Sequence, residues 1–163
     1  MGSIRTETDA LYNAFLNPGV VRQIVLPDET TAIGAAATMG NNPLFGAWVD
    51  VALLGAVALP TLVVGICLDT ISATAIYTIQ IGSCAGYANA AALNAVPAAV
   101  IAAFRASIRF HYLIVGAAGY TIHPTIMLPY PVLIPAGVGI LARGYTVAGA
   151  ETINVSVLGL QGF

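Results

Sequence analysis

The chain has 163 residues, and only 7% of them are charged, whereas an ordinary soluble domain has about 25%. Its net charge is −2, and its basic side chains are five arginines with no lysine, so it offers no basic stripe to a nucleic-acid backbone. So little surface charge would leave a free monomer poorly soluble. The composition therefore excludes nucleic-acid binding and predicts a single domain that lies in a membrane or in an assembly.

The first nineteen residues are predicted to form an arm that precedes the folded domain. Residues 7–16 are expected to form a short helix, and Asn17-Pro18-Gly19 closes the segment with turn residues. The opening MGSIRTETDALYNAF has no apolar signal-peptide core. We therefore divide the chain into an N-terminal arm, residues 1–19, and a β-sandwich domain, residues 20–163.

A membrane span is the first alternative to consider. Residues 51–68, VALLGAVALPTLVVGICL, are uncharged and have roughly the length that crosses a bilayer. Pro60 lies in the middle of this stretch, its flanks are Asp50 and Asp69, and no excess of basic residues sets an orientation. We therefore expect no membrane insertion and keep an integral membrane protein as an alternative.

Three segments alternate apolar and polar side chains with period two, which is typical of half-buried strands. They are AIYTIQIGS (75–83), SIRFHYLIV (107–115) and TINVSVLGL (152–160). The pattern predicts one face with Tyr77, Ile79 and Ile81 in the first, with Ile108, Phe110, Tyr112 and Ile114 in the second, and with Ile153, Val155 and Val157 in the third. Arg109 and His111 fall on the other face of the second segment.

Turn residues separate the apolar runs, and helix signals are few. Turns are predicted at residues 41–43 and 116–119, at Pro129 with Pro131, at residues 135–137 and at Gly149. Residues 87–96, YANAAALNAV, are alanine-rich and end before Pro97, which indicates one more short helix. The pattern predicts an all-β fold, an antiparallel sandwich with at most one or two short helices.

The two cysteines, Cys67 and Cys84, are far apart and form no CxxC pattern. Each falls in a predicted strand, so we expect two buried thiols. A disulfide between neighbouring strands remains open, because spacing alone does not decide it.

The titratable residues form no recognisable catalytic or metal-binding pattern. Asp28 and Glu29 follow Pro27 and are best explained as an exposed turn, and His123 precedes Pro124 in a predicted loop. No HExxH, GxSxG or phosphate-binding loop pattern occurs. We therefore expect a protein that is not an enzyme and that holds no cofactor and no metal.

The C-terminal third, YPVLIPAGVGILARGYTVAGAETINVSVLGL, resembles a motif of jelly-roll-like structural proteins of tailed bacteriophages. Residues 134–143, IPAGVGILAR, carry the strongest likeness, and the likeness extends over residues 45–163. WVDVALL (48–54) and YTIQIGSCAGYANAA (77–91) are similar to earlier strands of that family. Ser83 and Cys84 replace a glycine-containing pair of the family pattern, and Asn89 stands near a position where an acid is common.

The resemblance implies a jelly-roll sandwich that decorates or cements a phage capsid, often as a homotrimer bound to the major capsid protein on the virion surface. We expect Arg5, Glu7, Asp9 and Arg22 to contact the shell. Further contacts within or between subunits are expected from Arg109, His111 and Arg143. The low charge and the preference for arginine over lysine are typical of subunit interfaces.

The alternative function is a tail, neck or fibre component that binds a receptor or glycan. Tyrosine rings give stacking platforms for sugars, and the candidates are Tyr120, Tyr130 and Tyr145. This alternative predicts that these tyrosines cluster in loops at one end of the sandwich.

Overall fold

The computed structural model describes residues 22–27, 34–53, 57–83, 86–96, 107–113 and 125–162. Within these ranges the chain forms ten strands and one short helix. In chain order they are β1 (Arg22–Leu26), β2 (Ala35–Thr38), β3 (Gly40–Asn41), β4 (Val49–Ala52), β5 (Thr61–Asp69), β6 (Ile76–Ser83), α1 (Ala90–Asn94), β7 (Ser107–Leu113), β8 (Thr125–Ile134), β9 (Ile140–Thr146) and β10 (Thr152–Gln161).

The strands form two five-stranded sheets. Sheet 1 has the order β1-β10-β5-β8, and β2 also pairs with β10. Sheet 2 has the order β3-β9-β6-β7, and β4 also pairs with β9. Every described pairing is antiparallel except the two-residue pairing of β3 with β9. Early strands are thus joined to later ones through β9 and β10.

One apolar core lies between the sheets and takes side chains from both. Sheet 1 contributes Ile66 and Leu68 from β5, and sheet 2 contributes Tyr77 and Ile79 from β6 with Ile140 from β9. Burial of apolar surface of this kind is the main favourable contribution to folding. The prediction of an all-β antiparallel sandwich is confirmed.

The predicted alternation is confirmed in the two strands whose side chains are described. In β6 the core receives every second residue from Tyr77 to Ile81. Thr78 and Gln80 on the other face are buried as well, so β6 is not the half-buried strand that the pattern predicted. In β10 the core receives every second residue from Ile153 to Val157. The third predicted segment contains β7. Period two therefore identified both the strands and their inward faces.

The turn predicted at Pro129 and Pro131 is wrong, because both prolines lie inside β8. This strand ends the described order of sheet 1, where a missing N–H does not interrupt a ladder. The register pairs Val63 with Val132 and Gly65 with Met127, so residues 128–131 bulge opposite a single residue of β5. A bulged edge strand accommodates proline.

The short helix α1 is confirmed but covers only part of the predicted segment 87–96. Asn89 is its N-cap, and the Asn89 side chain accepts a hydrogen bond from the Ala92 N–H at 2.8 Å. The helix therefore begins at Ala90 rather than at residue 87, because a cap residue has extended backbone.

The apolar stretch of residues 51–68 contains the end of β4 and most of β5. No helix in the described ranges is long and apolar enough to cross a membrane. The predicted turn at residues 135–137 lies outside regular strands, as expected. Of the turn predicted at residues 41–43, Asn42 and Pro43 lie outside strands, whereas Asn41 ends β3. The arm of residues 1–19, its predicted helix and the predicted turn at residues 116–119 lie outside the described residues.

Candidate assembly surface

Arg143 lies on the outer face of sheet 2, stacked between two aromatic rings. Ile140 and Ala142 of β9 point into the main core. Because side chains alternate along a strand, Arg143 lies on the opposite face of the sheet. The guanidinium carbon lies 4.6 Å from the ring centre of Phe45 and 4.3 Å from that of Trp48. Cation–π contacts of this kind hold the half-buried side chain in place.

A hydrogen bond and a second aromatic contact complete this cluster. Arg143 Nε donates to Gln80 Oε1 at 2.8 Å, which provides a partner for the buried Gln80 amide. The rings of Phe45 and Tyr145 meet edge to face, with centres 5.0 Å apart. Arg143 therefore connects β9 with β6 and with the segment before β4 in the folded chain.

Helix α1 packs on the same face, beside the Trp48 ring. Trp48, Leu93 and Leu141 are buried together with Ala90 in a cluster separate from the main core. Asp50 Oδ1 accepts a hydrogen bond from the Ala90 N–H at 2.8 Å. The outer face of sheet 2 thus has its own small apolar core, which holds the Trp48 ring beside the arginine.

The register of sheet 2 brings three predicted contact residues into two neighbouring rows. Gln80 pairs with Arg109 on one side and with Arg143 on the other. Thr78 pairs with His111 in the next row. Sequence alone related Arg109 only to His111, because the pairing of β6 with β9 joins residues more than sixty positions apart.

Arg22 is at a different place, at the beginning of β1 in sheet 1. The Arg22 Nη2 donates to Gln161 Oε1 at 3.4 Å. Gln161 Nε2 donates in turn to Thr61 Oγ1 at 2.8 Å, and the Thr61 hydroxyl donates to the Leu59 carbonyl at 3.1 Å. The exposed arginine therefore caps a buried polar chain. Arg5, Glu7 and Asp9 lie outside the described residues.

The described surface exposes much apolar and little charged side-chain area. Where side chains are described, Arg22 is the one charged residue that is exposed. Seven large apolar side chains are exposed, namely Leu44, Leu53, Leu59, Ile76, Met127, Tyr130 and Val147. Scattered single apolar residues are ordinary on a protein surface, but the near absence of charge between them is not.

Three of these apolar side chains lie at one end of sheet 2. The pairing of β6 with β9 ends at Thr78 and Tyr145, and Ile76 and Val147 each lie two residues past this end of the ladder. The turn that carries Leu44 is attached there by the Asn42 N–H, which donates to the Thr146 carbonyl at 2.8 Å. We call Leu44, Ile76 and Val147 the end patch.

Of the tyrosines proposed as a glycan platform, the two that the structure describes do not form a loop cluster. Tyr130 is 77% exposed and lies in β8 of sheet 1. Tyr145 is half-buried in β9 of sheet 2 and packs against Phe45. Both lie within strands, and Tyr120 lies outside the described residues.

The acidic side chains of the described residues are used as hydrogen-bond acceptors within the chain. Asp50 accepts from helix α1, as above, and Asp69 Oδ1 accepts from the Thr70 N–H at 2.6 Å. Glu151 Oε2 accepts from the Thr146 hydroxyl. No three of the described His, Cys, Asp and Glu residues lie close enough to hold a metal ion.

Burial raises the pKa of Tyr77 above its ordinary value of 10.0. The Tyr77 hydroxyl donates to the Ala73 carbonyl at 2.9 Å, a bond that requires the neutral phenol. Cys67 lies half-buried in β5 opposite Ser156. Cys84 lies outside the described residues, so a disulfide between Cys67 and Cys84 remains open.

Comparisons with protein families and with curated proteins find no match: no family model fits the chain, and no curated protein is similar to it in sequence.

Proposed function

We propose that this chain is a structural subunit of a tailed-bacteriophage virion, a decoration (cement) protein on the capsid surface. In this proposal it assembles as a homotrimer and binds the major capsid protein, and it works by binding rather than by catalysis. It needs no cofactor, no nucleic acid and no membrane. Arg5, Glu7, Asp9 and Arg22 contact the shell.

The observation that carries the proposal is the contrast between exposed apolar and exposed charged side chains. Seven large apolar side chains are exposed, and Arg22 is the one exposed charge among the described side chains. A subunit that is covered on several sides gains from apolar surface and has no need of charge for solubility. The end patch is the part of this surface that we assign to self-association.

The strand order supports a finer proposal, a jelly roll. One sheet has the order β1-β10-β5-β8, and in the other β4, β9, β6 and β7 follow one another. Each sheet thus alternates strands from the beginning and the end of the chain, which is what two interlocked Greek keys produce. Jelly rolls are frequent in viral capsid and lectin domains, but a fold by itself does not fix a function.

A glycan- or receptor-binding tail component is the second candidate, and one observation favours it. Tyr130 is 77% exposed in an edge strand, and an exposed aromatic ring is a stacking platform. Glycan binding that is lost in a Tyr130→Ala variant, without any binding to capsids, would favour this candidate.

The first test is the oligomeric state in the absence of detergent, measured by size-exclusion chromatography with light scattering. We expect a discrete trimer for the native chain and a monomer for Leu44→Ser/Val147→Ser, which removes two members of the end patch. The matched control is Leu53→Ser/Leu59→Ser, two exposed leucines outside the patch, which should remain trimeric. A native chain that is monomeric at every concentration contradicts self-association.

The second test is attachment to capsids. Shells are assembled from the major capsid protein encoded in the same genome and sedimented with the purified chain. We expect the native chain to co-sediment at a fixed ratio and a variant without residues 1–19 to stay in the supernatant. A native chain that does not sediment with mature shells contradicts the capsid proposal, and sedimentation of the truncated chain contradicts the role given to the arm.

A further inference from the structure

Sheet 1 carries an apolar row on the face that points away from the main core. The register pairs Leu62 with Leu133 on one side and with Leu160 on the other. Val63, the next residue of β5, belongs to the core, so the alternation places the Leu62 row on the outer face. Leu62 and Val64 are buried there, and the leucines Leu133, Leu158 and Leu160 pack around them.

The chain enters sheet 1 at the end of this row. Gln23 pairs with Leu160, so the row continues across four strands from Gln23 to Leu133. Three strand spacings make it about 14 Å wide. Arg22, the residue beside Gln23, is where the preceding 21 residues are attached. The Leu62 row therefore begins one residue from the point where those residues join the sheet.

The preceding sequence contains a matching apolar segment at a suitable distance. Residues 10–16, ALYNAFL, include Leu11 and Phe15 four positions apart, a spacing that puts both on one side of a helical turn. Charged residues occur before this segment, up to Asp9, and none occurs between it and Arg22. The five residues 17–21 span up to about 17 Å when extended, which is enough to reach across the row.

We propose that residues 10–16 of the chain dock on the outer face of sheet 1, over the row formed by Leu62, Leu133 and Leu160 of the same molecule. The short connection gives the segment a high effective concentration at its own sheet. Docking buries apolar side chains of both partners, which is favourable. Residues 1–9, with the polar groups of the arm, extend beyond the docked segment. The proposal does not rest on the function proposed above.

The test is disulfide trapping in the full chain. Cys67 and Cys84 are first replaced by Ser, and Phe15→Cys is then combined with Leu160→Cys in the row. Leu11→Cys with Leu160→Cys is a second pair that samples the other end of the segment. The matched control combines Phe15→Cys with Val147→Cys, an exposed residue of the end patch on the other sheet. Each protein is oxidised at low concentration and analysed by non-reducing electrophoresis and peptide mass mapping.

We expect a cross-link within one molecule for at least one of the two row pairs, formed at least ~10-fold faster than in the control. Circular dichroism of each reduced variant verifies that the sandwich is intact before oxidation. A covalent dimer as the main product would overturn the proposal and assign the row to the segment of a second copy. No cross-link in either row pair, or equal rates in row and control pairs, would also overturn it.

Discussion

Asn94 and Trp48 are joined by two hydrogen bonds that run in opposite directions. The Trp48 N–H donates to Asn94 Oδ1 at 2.9 Å, and Asn94 Nδ2 donates to the Trp48 carbonyl at 2.8 Å. The Asn94 side-chain amide thus bonds both the N–H and the C=O of Trp48, as a paired residue in a neighbouring strand would. The last residue of helix α1 is thereby attached to the segment that leads into β4.

The first prediction concerns this pair of hydrogen bonds. Asn94→Ala removes both hydrogen bonds, and we expect a loss of about 1–3 kcal/mol in the free energy of unfolding. Asn94→Asp keeps an acceptor for the Trp48 N–H but turns an acceptor oxygen towards the Trp48 carbonyl, so it should also destabilise the protein. Urea denaturation measures both, and Asn41→Ala, at the exposed last residue of β3, is the control. Equal stability of all three variants would contradict the assignment.

The second prediction concerns the stacked arginine. Arg143→Lys retains the charge but loses the planar group between Phe45 and Trp48 and the Nε bond to Gln80, so we expect a loss of about 1–2 kcal/mol. Trp48 is the only tryptophan, so its emission reports directly on the ring beside the guanidinium. The emission spectrum should change in Arg143→Lys and remain native in Arg22→Lys, the matched control. An unchanged spectrum in Arg143→Lys contradicts the stacking.

The third prediction concerns the turn between β9 and β10. Ala150 has a φ of 65°, in the left-handed region where a side chain is strained. Ala150→Gly should therefore stabilise the protein by about 0.5–1 kcal/mol. Gly149→Ala should do the opposite, since φ there is 74° and a Cβ would lie 3.1 Å from the Asn41 backbone N. Thermal unfolding of the two variants should move the midpoint in opposite directions.

The fourth prediction concerns the prolines of β8. An exposed edge strand can pair with another molecule, and proline prevents this because it has no N–H to donate. Pro129→Ala/Pro131→Ala should therefore shorten the lag before aggregation, monitored by thioflavin T fluorescence and light scattering. The control is Pro135→Ala, in the turn just after the strand. If both variants aggregate alike, edge protection is not what Pro129 and Pro131 provide.

The fifth prediction concerns alkaline pH. The folded pKa of Tyr77 is raised by burial above 10.0, so the neutral phenol is favoured in the folded state. The resulting stability is complete below about pH 10, where the unfolded phenol is also protonated, and is lost as the pH rises towards the folded pKa.

Tyr77→Phe cannot ionise at this position and should lose less stability than the native chain between about pH 9.5 and 11. At neutral pH it should cost about 1 kcal/mol, because the hydrogen bond to Ala73 is lost. Urea denaturation at several pH values gives both quantities. Parallel pH profiles for the two proteins would show that Tyr77 makes no such contribution.

The sequence predicted the strands best where one face meets the core. In β6 and β10 every second residue enters the main core, and the sequence alternation separates these residues correctly from those of the other face. In β8 the prolines suggested a turn, because a local rule cannot show whether a strand lies at an edge. The edge position of β8 depends on pairing with β5, which is more than fifty residues away in the chain.

For the candidate surface, the sequence predicted the kind of residues it contains but not which residues are in contact. Few charges and five arginines indicated covered faces, but nothing local related Arg143 to Phe45 and Trp48, which lie almost a hundred residues earlier. That contact depends on the pairing of β4 with β9. The predicted roles of Arg5, Glu7 and Asp9 remain predictions.

The joining role of β9 and β10 also has a consequence for folding during synthesis. β1 and β2 both pair with β10, and β3 and β4 both pair with β9, so these four early strands need partners that are synthesised roughly 90 to 140 residues later. Neither sheet can be completed before residues 140–161, which contain β9 and β10, have been synthesised. Folding that is dominated by such distant contacts is slow. A nascent chain of about 130 residues therefore presents apolar strands to its surroundings, and this is the stage at which a chaperone would matter most.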